Sequence, residues 1–142
     1  MLASVLGAHL PARAAVPAIE VYKTPSCGCC RLWVAHLRAN GFSVNAHDVD
    51  DTTAYRQKLG IPAALGSCHT GAVGGYALEG HVPAREIKRL LAERAKVGGL
   101  AVPAMALGSP GMEGPRSDPY DVLAFHADGR YTVYQHYNGT AK

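Results

Sequence analysis

The chain has 142 residues, of which 48% are apolar and 18% charged, and its net charge is +3. This length suits one domain with a buried core, and the apolar content excludes an intrinsically disordered chain. Acidic and basic residues are interspersed without a block of lysines and arginines, so we expect no nucleic-acid partner.

The first 18 residues are apolar and rich in alanine. They are too short and too interrupted to span a bilayer, so we expect no stable membrane span. Ala12-Arg13-Ala14 resembles a small-residue cleavage site, although the positively charged start of a signal peptide is missing. We therefore predict that residues 1–18 are an N-terminal tail or a truncated signal peptide, and that residues 19–142 form a single domain.

Strands and helices alternate along this domain. The patterning predicts strands at 19–23, 42–49 and 70–78, the last interrupted by Gly74-Gly75, and helices at 27–40, 53–59 and 83–94. A Met/Pro/Gly loop at 100–116 and a C-terminal hairpin of strands 121–125 and 131–137 are expected to follow. This order predicts an α/β fold in which helices flank a mixed central sheet that begins with parallel pairing.

Three of the four cysteines, Cys27, Cys29 and Cys30, lie within four residues, and this clustering points to a site. Cys27 and Cys30 are three residues apart at the start of a predicted helix, so their side chains are neighbours. The N-terminus of a helix lowers thiol pKa values and favours the thiolates that redox chemistry and metal ligation both need. A strand followed by cysteines at a helix N-terminus is the thioredoxin-like arrangement.

The fourth cysteine, Cys68, lies in the loop just before the predicted third strand. In thioredoxin-like proteins this loop crosses in front of the paired cysteines, so we expect Cys68 to approach Cys27 and Cys30. Thioredoxins usually carry a cis-proline at this point. A thiol in its place favours metal coordination over the docking of a substrate disulfide.

The residue types favour copper among the soft metals. Thiolates and thioethers select Cu(I), although thiolates also suit zinc and iron–sulfur clusters. Structural zinc prefers two well-spaced pairs of ligands, whereas thiolates that bridge several Cu(I) ions tolerate crowded thiols. Met105 and Met112 would supply thioethers if the Met/Pro/Gly loop folds over the cysteines, and the alternative is that both pack onto the core. His69 either ligates metal or forms a hydrogen bond in its turn, and for His81 a turn or surface role is at least as well supported as ligation.

Several segments between residues 20 and 125 match one known family in residues and in order. They are VYKTPSCGCC at 21–30, SCHT at 67–70, GGY at 74–76, EGHVP at 79–83, GGLAVPAM at 98–105, GSPGME at 108–113 and PYDV at 119–122. On these segments the chain resembles the CopG-type family of bacterial copper-resistance proteins. The resemblance implies a thioredoxin-like fold, a periplasmic location, copper bound by clustered cysteines and a role in copper tolerance.

The resemblance also ranks the candidate ligands. Carried onto the matching positions, Cys27, Cys30 and Cys68 come first and Cys29 next. Met105, Met112 and His69 are further candidates.

Two functions from different classes stay open. The first is a periplasmic copper chaperone or buffer that holds several Cu(I) ions, with other periplasmic copper-handling proteins as partners. The second is an oxidoreductase in which bound copper cycles electrons, or in which Cys27 attacks and Cys30 resolves a mixed disulfide. The inserted Cys29 speaks against plain disulfide exchange, because a third thiol invites wrong pairings. Two structural disulfides, or a zinc-stabilised domain, are the remaining alternatives.

Overall fold

The computed structural model describes residues 15–139. Most of the segment that we interpret as a tail or truncated signal peptide, residues 1–14, lies outside the described residues. Among the helices in the described part of the chain, none is both long enough and apolar enough to cross a membrane.

The strands of the described chain form one seven-stranded mixed sheet. The elements are β1 (Ile19–Lys23), α1 (Gly28–Ala39), β2 (Val44–Asp48), α2 (Thr53–Lys58), β3 (Thr70–Val73), β4 (Tyr76–Gly80), α3 (Ala84–Glu93), β5 (Gly99–Val102), β6 (Tyr120–Phe125) and β7 (Tyr131–Tyr137). The strand order is β2-β1-β3-β4-β5-β6-β7. β1 and β2 are parallel, as are β4 and β5, and the other neighbours are antiparallel. The predicted α/β class, the mixed sheet and its parallel start are confirmed.

Two parts of the sheet differ from the prediction. The segment predicted as one interrupted strand is a hairpin, because Gly74 and Gly75 adopt positive φ angles of 53° and 85° and reverse the chain. Glu79 and Gly80, which lie beyond the predicted strand, therefore belong to β4. The expected loop also begins with a strand, β5, whose four residues are all buried and so lack the alternation of a half-exposed strand.

The sheet carries apolar side chains on both faces. α1 and α3 pack against one face and contribute residues such as Trp33, Leu37 and Ile87 to the main core. The alternate residues of β4, β5 and β6 point the other way and form a second, smaller cluster with Ile61 and Leu65. The packing of α1 on the sheet thus places the start of this helix near the start of β3 and the end of β4.

Candidate metal centre

Several segments of the chain meet at one end of the sheet. β1 ends there and leads into α1, and β3 begins there because it is antiparallel to β1, with Tyr22 opposite Thr70. β4 ends there because Thr70 lies opposite Glu79, and β5 ends there because it is parallel to β4. The start of α1, the turn before β3, the residue after β4 and the loop after β5 therefore converge.

The four cysteines lie together at this end. Cys27 is the N-cap of α1, and its Sγ accepts a hydrogen bond from the backbone N–H of Cys30 at 3.3 Å. Cys29 Sγ lies 3.5 Å from Cys27 Sγ and 3.8 Å from Cys68 Sγ. All four Sγ atoms lie within 4.8 Å of one another, and we call them the sulfur cluster. The sequence separates Cys68 from the others by almost forty residues, and the fold brings it to them as the element order predicts.

The cysteines are not all reduced. A disulfide joins Cys27 and Cys30, whereas Cys29 and Cys68 are free thiols. This arrangement differs from the four reduced thiols that a copper buffer needs and from the alternative of two structural disulfides. Ligation by all four cysteines therefore requires prior reduction of this bond.

Two buried histidines face Cys68. His69 Nδ1 lies 3.3 Å from Cys68 Sγ, and His81 Nε2 lies 3.2 Å from the same atom. The other ring nitrogen of His69 donates to Gly80 O at 2.7 Å, and that of His81 donates to Pro110 O at 2.6 Å. Because a carbonyl only accepts, each bond places the proton on the far nitrogen and leaves a lone pair directed at Cys68. We call Cys68, His69 and His81 the histidine group.

His81 is a candidate ligand that sequence reasoning weighed but did not include among the metal-binding residues. It is fully buried, so the surface role that we considered for it is wrong. The signal was the Gly74-Gly75 pair, because a hairpin there sets Thr70 opposite Glu79 and brings residue 81 beside residues 68 and 69. Reading these glycines as an interruption of one strand hid this proximity.

Burial shifts the pKa values of the histidine group toward its neutral forms. Burial lowers the pKa of His69 to about 3, with a further contribution from His81, and it also lowers the pKa of His81. Burial raises the pKa of the Cys68 thiol to about 11. The site therefore presents neutral imidazoles, which are good metal ligands, and a thiol that loses its proton when a metal replaces it.

These shifts predict how the stability of the metal-free protein depends on pH. The pKa of His69 is lower in the folded chain than its usual 6.5, so its contribution is complete above pH 6.5 and is lost as the pH falls toward 3. Between its folded-state pKa and its unfolded-state pKa, each such histidine lowers the free energy of unfolding by about 1.4 kcal/mol for every unit that the pH falls. We expect urea unfolding to give a lower free energy of unfolding at pH 5 than at pH 7. His136 opposes the trend, because Asp121 raises its pKa. His136→Gln should therefore steepen the loss, and an equal stability at both pH values would contradict the prediction.

A buried ion pair holds the backbone next to Cys68. Glu79 is fully buried, and its Oε1 accepts from Arg56 Nε at 2.8 Å and from the Ser67 N–H at 2.7 Å. Arg56 also donates to the Ser67 carbonyl at 2.9 Å. Burial raises the pKa of Glu79, against the opposing effects of Ser67 N–H and Arg56. Both polar backbone groups of the residue before Cys68 are therefore held by one pair of side chains.

Trp33 covers the inner side of the histidine group. Its indole ring stacks on His69 with a centroid distance of 4.2 Å, and its N–H donates to Val82 O at 2.8 Å. The side chain is fully buried. It therefore shields His69 from water while supporting the segment that carries His81.

The loop between β5 and β6, residues 103–119, folds over the site, and we call it the covering loop. Ala104 O accepts from the Ser67 hydroxyl, and Pro110 O accepts from His81. A Cβ at Gly111 would lie 2.8 Å from Cys29 O, so only glycine permits this contact. The loop thus folds over the site, and ligation by Met105 and Met112 stays a prediction. Met105 is 53% exposed and does not pack in the core, and Met112, which follows Gly111, is half-buried.

Comparison with known proteins gives the family. A family model described as a protein of unknown function, DUF411, matches residues 65–112. A solved structure titled copper resistance protein CopG, form 1, is similar at 47% identity with a TM-score of 0.82, over 88% of this chain and 100% of that chain. Its form 2 is similar at 48% identity with a TM-score of 0.80, over 85% of this chain and 98% of that chain. None of the curated proteins matches the sequence. The thiols and imidazoles at this site are ligands for a soft or borderline metal. On the identity and coverage of these matches, the chain belongs to the CopG-type copper-resistance family.

Proposed function

We propose that the chain binds copper as Cu(I), as more than one ion, in the bacterial periplasm and so contributes to copper tolerance. The observation that carries this proposal is the sulfur cluster, in which four cysteine Sγ atoms lie within 4.8 Å of one another at a helix N-terminus. Soft thiolates select Cu(I), and sulfur atoms this close can bridge several ions. The similar solved structures are of proteins named for copper resistance, which supports copper as the metal.

Cys27, Cys29, Cys30 and Cys68 are the principal ligands in this proposal. His69 and His81 add nitrogen ligands, and the covering loop brings Met105 and Met112 toward the same end of the sheet. The described domain supports a thioredoxin-like description, because α1 connects the parallel strands β1 and β2 and carries its cysteines at the N-cap. We take residues 19–142 as one metal-binding domain.

Loading of the full cluster begins with reduction of the Cys27–Cys30 disulfide. A dithiol reductant supplies two electrons and two protons, which yields two thiols in this chain and a disulfide in the reductant. Each thiol that then binds Cu(I) releases one proton. The disulfide supports the periplasmic part of the proposal, since such bonds persist in oxidising compartments. Other periplasmic copper-handling proteins would deliver or accept the ions.

A second candidate function is a copper-dependent or dithiol oxidoreductase. The disulfide at the N-terminus of α1 favours it, because this is where a redox-active pair would lie. The raised pKa of Cys68 argues against a simple thiol relay, since the thiolate is the attacking species. The geometry therefore supports metal binding better than disulfide exchange.

A Cu(I) titration tests the proposal. The full chain is reduced without oxygen and titrated with Cu(I) against a coloured chelator, and free thiols are counted before and after. We expect two or more copper ions per chain and protection of all four thiols. Weak copper binding together with a readily reducible Cys27–Cys30 disulfide would contradict the proposal and favour the oxidoreductase.

Cys29→Ser separates the two candidate functions. This change leaves Cys27 and Cys30 in place, so it preserves dithiol exchange, but it removes one sulfur from the cluster. We expect a lower copper count, with the reduction of the disulfide unaffected. Ser26→Ala, at an exposed position beside the N-cap, is the matched control and should leave the copper count unchanged.

A further inference from the structure

The disulfide divides the site into two sets of ligands that share one residue. The sulfur cluster contains Cys27 and Cys30, so oxidation removes two of its four thiols. The histidine group contains neither of these two residues. It therefore keeps all its donors in the disulfide-bonded protein, and the second free thiol, Cys29, lies beside it.

The spacing of these donors suits a single ion. In a tetrahedral zinc site with bonds of about 2.3 Å to sulfur and about 2.0 Å to nitrogen, neighbouring sulfur atoms are about 3.8 Å apart. A sulfur and a nitrogen of such a site are about 3.5 Å apart. Cys29 Sγ and Cys68 Sγ are separated by 3.8 Å, and Cys68 Sγ lies 3.3 Å from His69 Nδ1 and 3.2 Å from His81 Nε2. The two sulfur–nitrogen distances match the edges of such a site to within a few tenths of an ångström, and the three donors of the histidine group all lie within 4.8 Å of one another. Cys29 approaches Cys68 but does not belong to this group, so a fourth position is open to a water molecule.

The two histidines are already oriented for ligation. Each donates its far N–H to a backbone carbonyl, the arrangement that sets the tautomer and ring orientation of metal-bound histidines. His69 is further held by stacking on Trp33. Little rearrangement of the buried side chains is needed to place an ion between them.

We propose that the disulfide-bonded protein binds one divalent ion of the borderline class, such as Zn²⁺ or Co²⁺, through Cys68, His69 and His81, with water in the fourth position. Two imidazoles and one thiolate suit such an ion better than they suit a cluster of Cu(I) ions. This function goes beyond the proposed copper binding, because it belongs to the oxidised chain and to a different class of metal. Because Cys68 is a ligand in both sites, the Cu(I) cluster and the divalent ion cannot be bound at the same time.

Cobalt is the probe for this site. The full chain is prepared with the Cys27–Cys30 disulfide intact and two free thiols, as verified by mass and thiol count, and is titrated with Co²⁺ without oxygen. We expect one Co²⁺ per chain, with the visible absorption of a tetrahedral site and a sulfur-to-cobalt charge-transfer band. Zn²⁺ should displace the cobalt and remove both signals.

Variants test the assignment of the ligands. His81→Ala should weaken Co²⁺ binding at least about tenfold, the lower end of the loss seen for groups around a metal site. His81→Gln, which keeps an amide donor at this buried position, serves as a second variant if the alanine variant does not fold. His47→Ala removes a histidine from an exposed position on β2 and should bind Co²⁺ as the parent chain does.

Failure of this inference is distinct from failure of the copper proposal. Absence of tetrahedral cobalt in the oxidised chain, or binding that His81→Ala and His81→Gln both leave unchanged, would overturn the divalent site. Cobalt binding that appears only after reduction of the disulfide would overturn it too. None of these results changes the Cu(I) count of the reduced chain, which tests the copper proposal by itself.

Discussion

Cys68→Ser is expected to weaken Cu(I) binding by the reduced protein by more than about 100-fold, beyond the loss caused by removing an outer partner of a ligand. Cys68 belongs to both the sulfur cluster and the histidine group, so its replacement removes the atom on which the other donors converge. A serine hydroxyl is a hard donor that does not replace a thiolate for Cu(I). Competition with a coloured Cu(I) chelator measures the change in affinity.

Cys29→Ser provides the comparison for this prediction. Cys29 belongs to the sulfur cluster only, so its loss should reduce the copper count and weaken Cu(I) binding less than the loss of Cys68 does. Cys68→Ser should also abolish cobalt binding by the oxidised chain, which makes it the single change that impairs both sites. A Cys68→Ser protein that retains the copper affinity of the parent chain would show that the metal binds elsewhere.

Arg56→Met is expected to lower the free energy of unfolding by about 3–5 kcal/mol, the cost of removing one partner of a buried ion pair. Glu79 is fully buried, and without Arg56 its carboxylate keeps only the Ser67 N–H as a donor to Oε1. Methionine retains the apolar stem, so the loss reports on the charge and its hydrogen bonds. Urea unfolding of the metal-free protein measures the difference.

The pH dependence of this difference identifies its cause. Burial already raises the pKa of Glu79 in the folded chain, and loss of the guanidinium raises it further. A carboxyl group whose pKa is raised in the folded chain destabilises the fold increasingly as the pH rises from the usual value of 4.5 to the raised pKa, and the cost is absent below the usual value. The gap between Arg56→Met and the parent chain should therefore shrink as the pH falls.

Two further variants check the Arg56 prediction. Arg130→Met breaks the exposed pair of Arg130 with Asp128 and should cost less than about 1 kcal/mol. Combining Arg56→Met with Glu79→Gln removes the buried charge and should restore part of the lost stability. An Arg56→Met protein as stable as Arg130→Met would show that the ion pair does not hold the segment before Cys68.

The sequence predicted those features that depend on local pattern. Each α-helix begins and ends within one residue of its predicted bounds, because cap residues and apolar periodicity mark helix ends well. The approach of Cys68 to the cysteines of α1 followed from the order of the elements. The Gly74-Gly75 hairpin was missed because β3 and β4 are short and mostly buried, so neither shows clear alternation.

Two properties of the site lie beyond local pattern. The role of His81 depends on the register of β3 against β4, and a pairing register is a relation between distant residues. Whether Cys27 and Cys30 form a disulfide depends on the redox state of the protein, and the same residue types are compatible with two thiols or with a disulfide. The sequence therefore identified the cysteines but not the form in which they meet a metal.

The hydrogen bond from His81 to the Pro110 carbonyl couples metal binding to the position of the covering loop, so that each affects the other. A metal on Nε2 makes the proton on Nδ1 more acidic and so strengthens its bond to the Pro110 carbonyl. By linkage, any contact that stabilises the closed position of the covering loop must raise the affinity for the metal by the same factor. A substitution in the covering loop that contacts none of the cysteines can therefore change the affinity for the metal. The covering loop should also be less mobile in the metal-bound chain than in the metal-free chain, so partners would meet a more ordered surface.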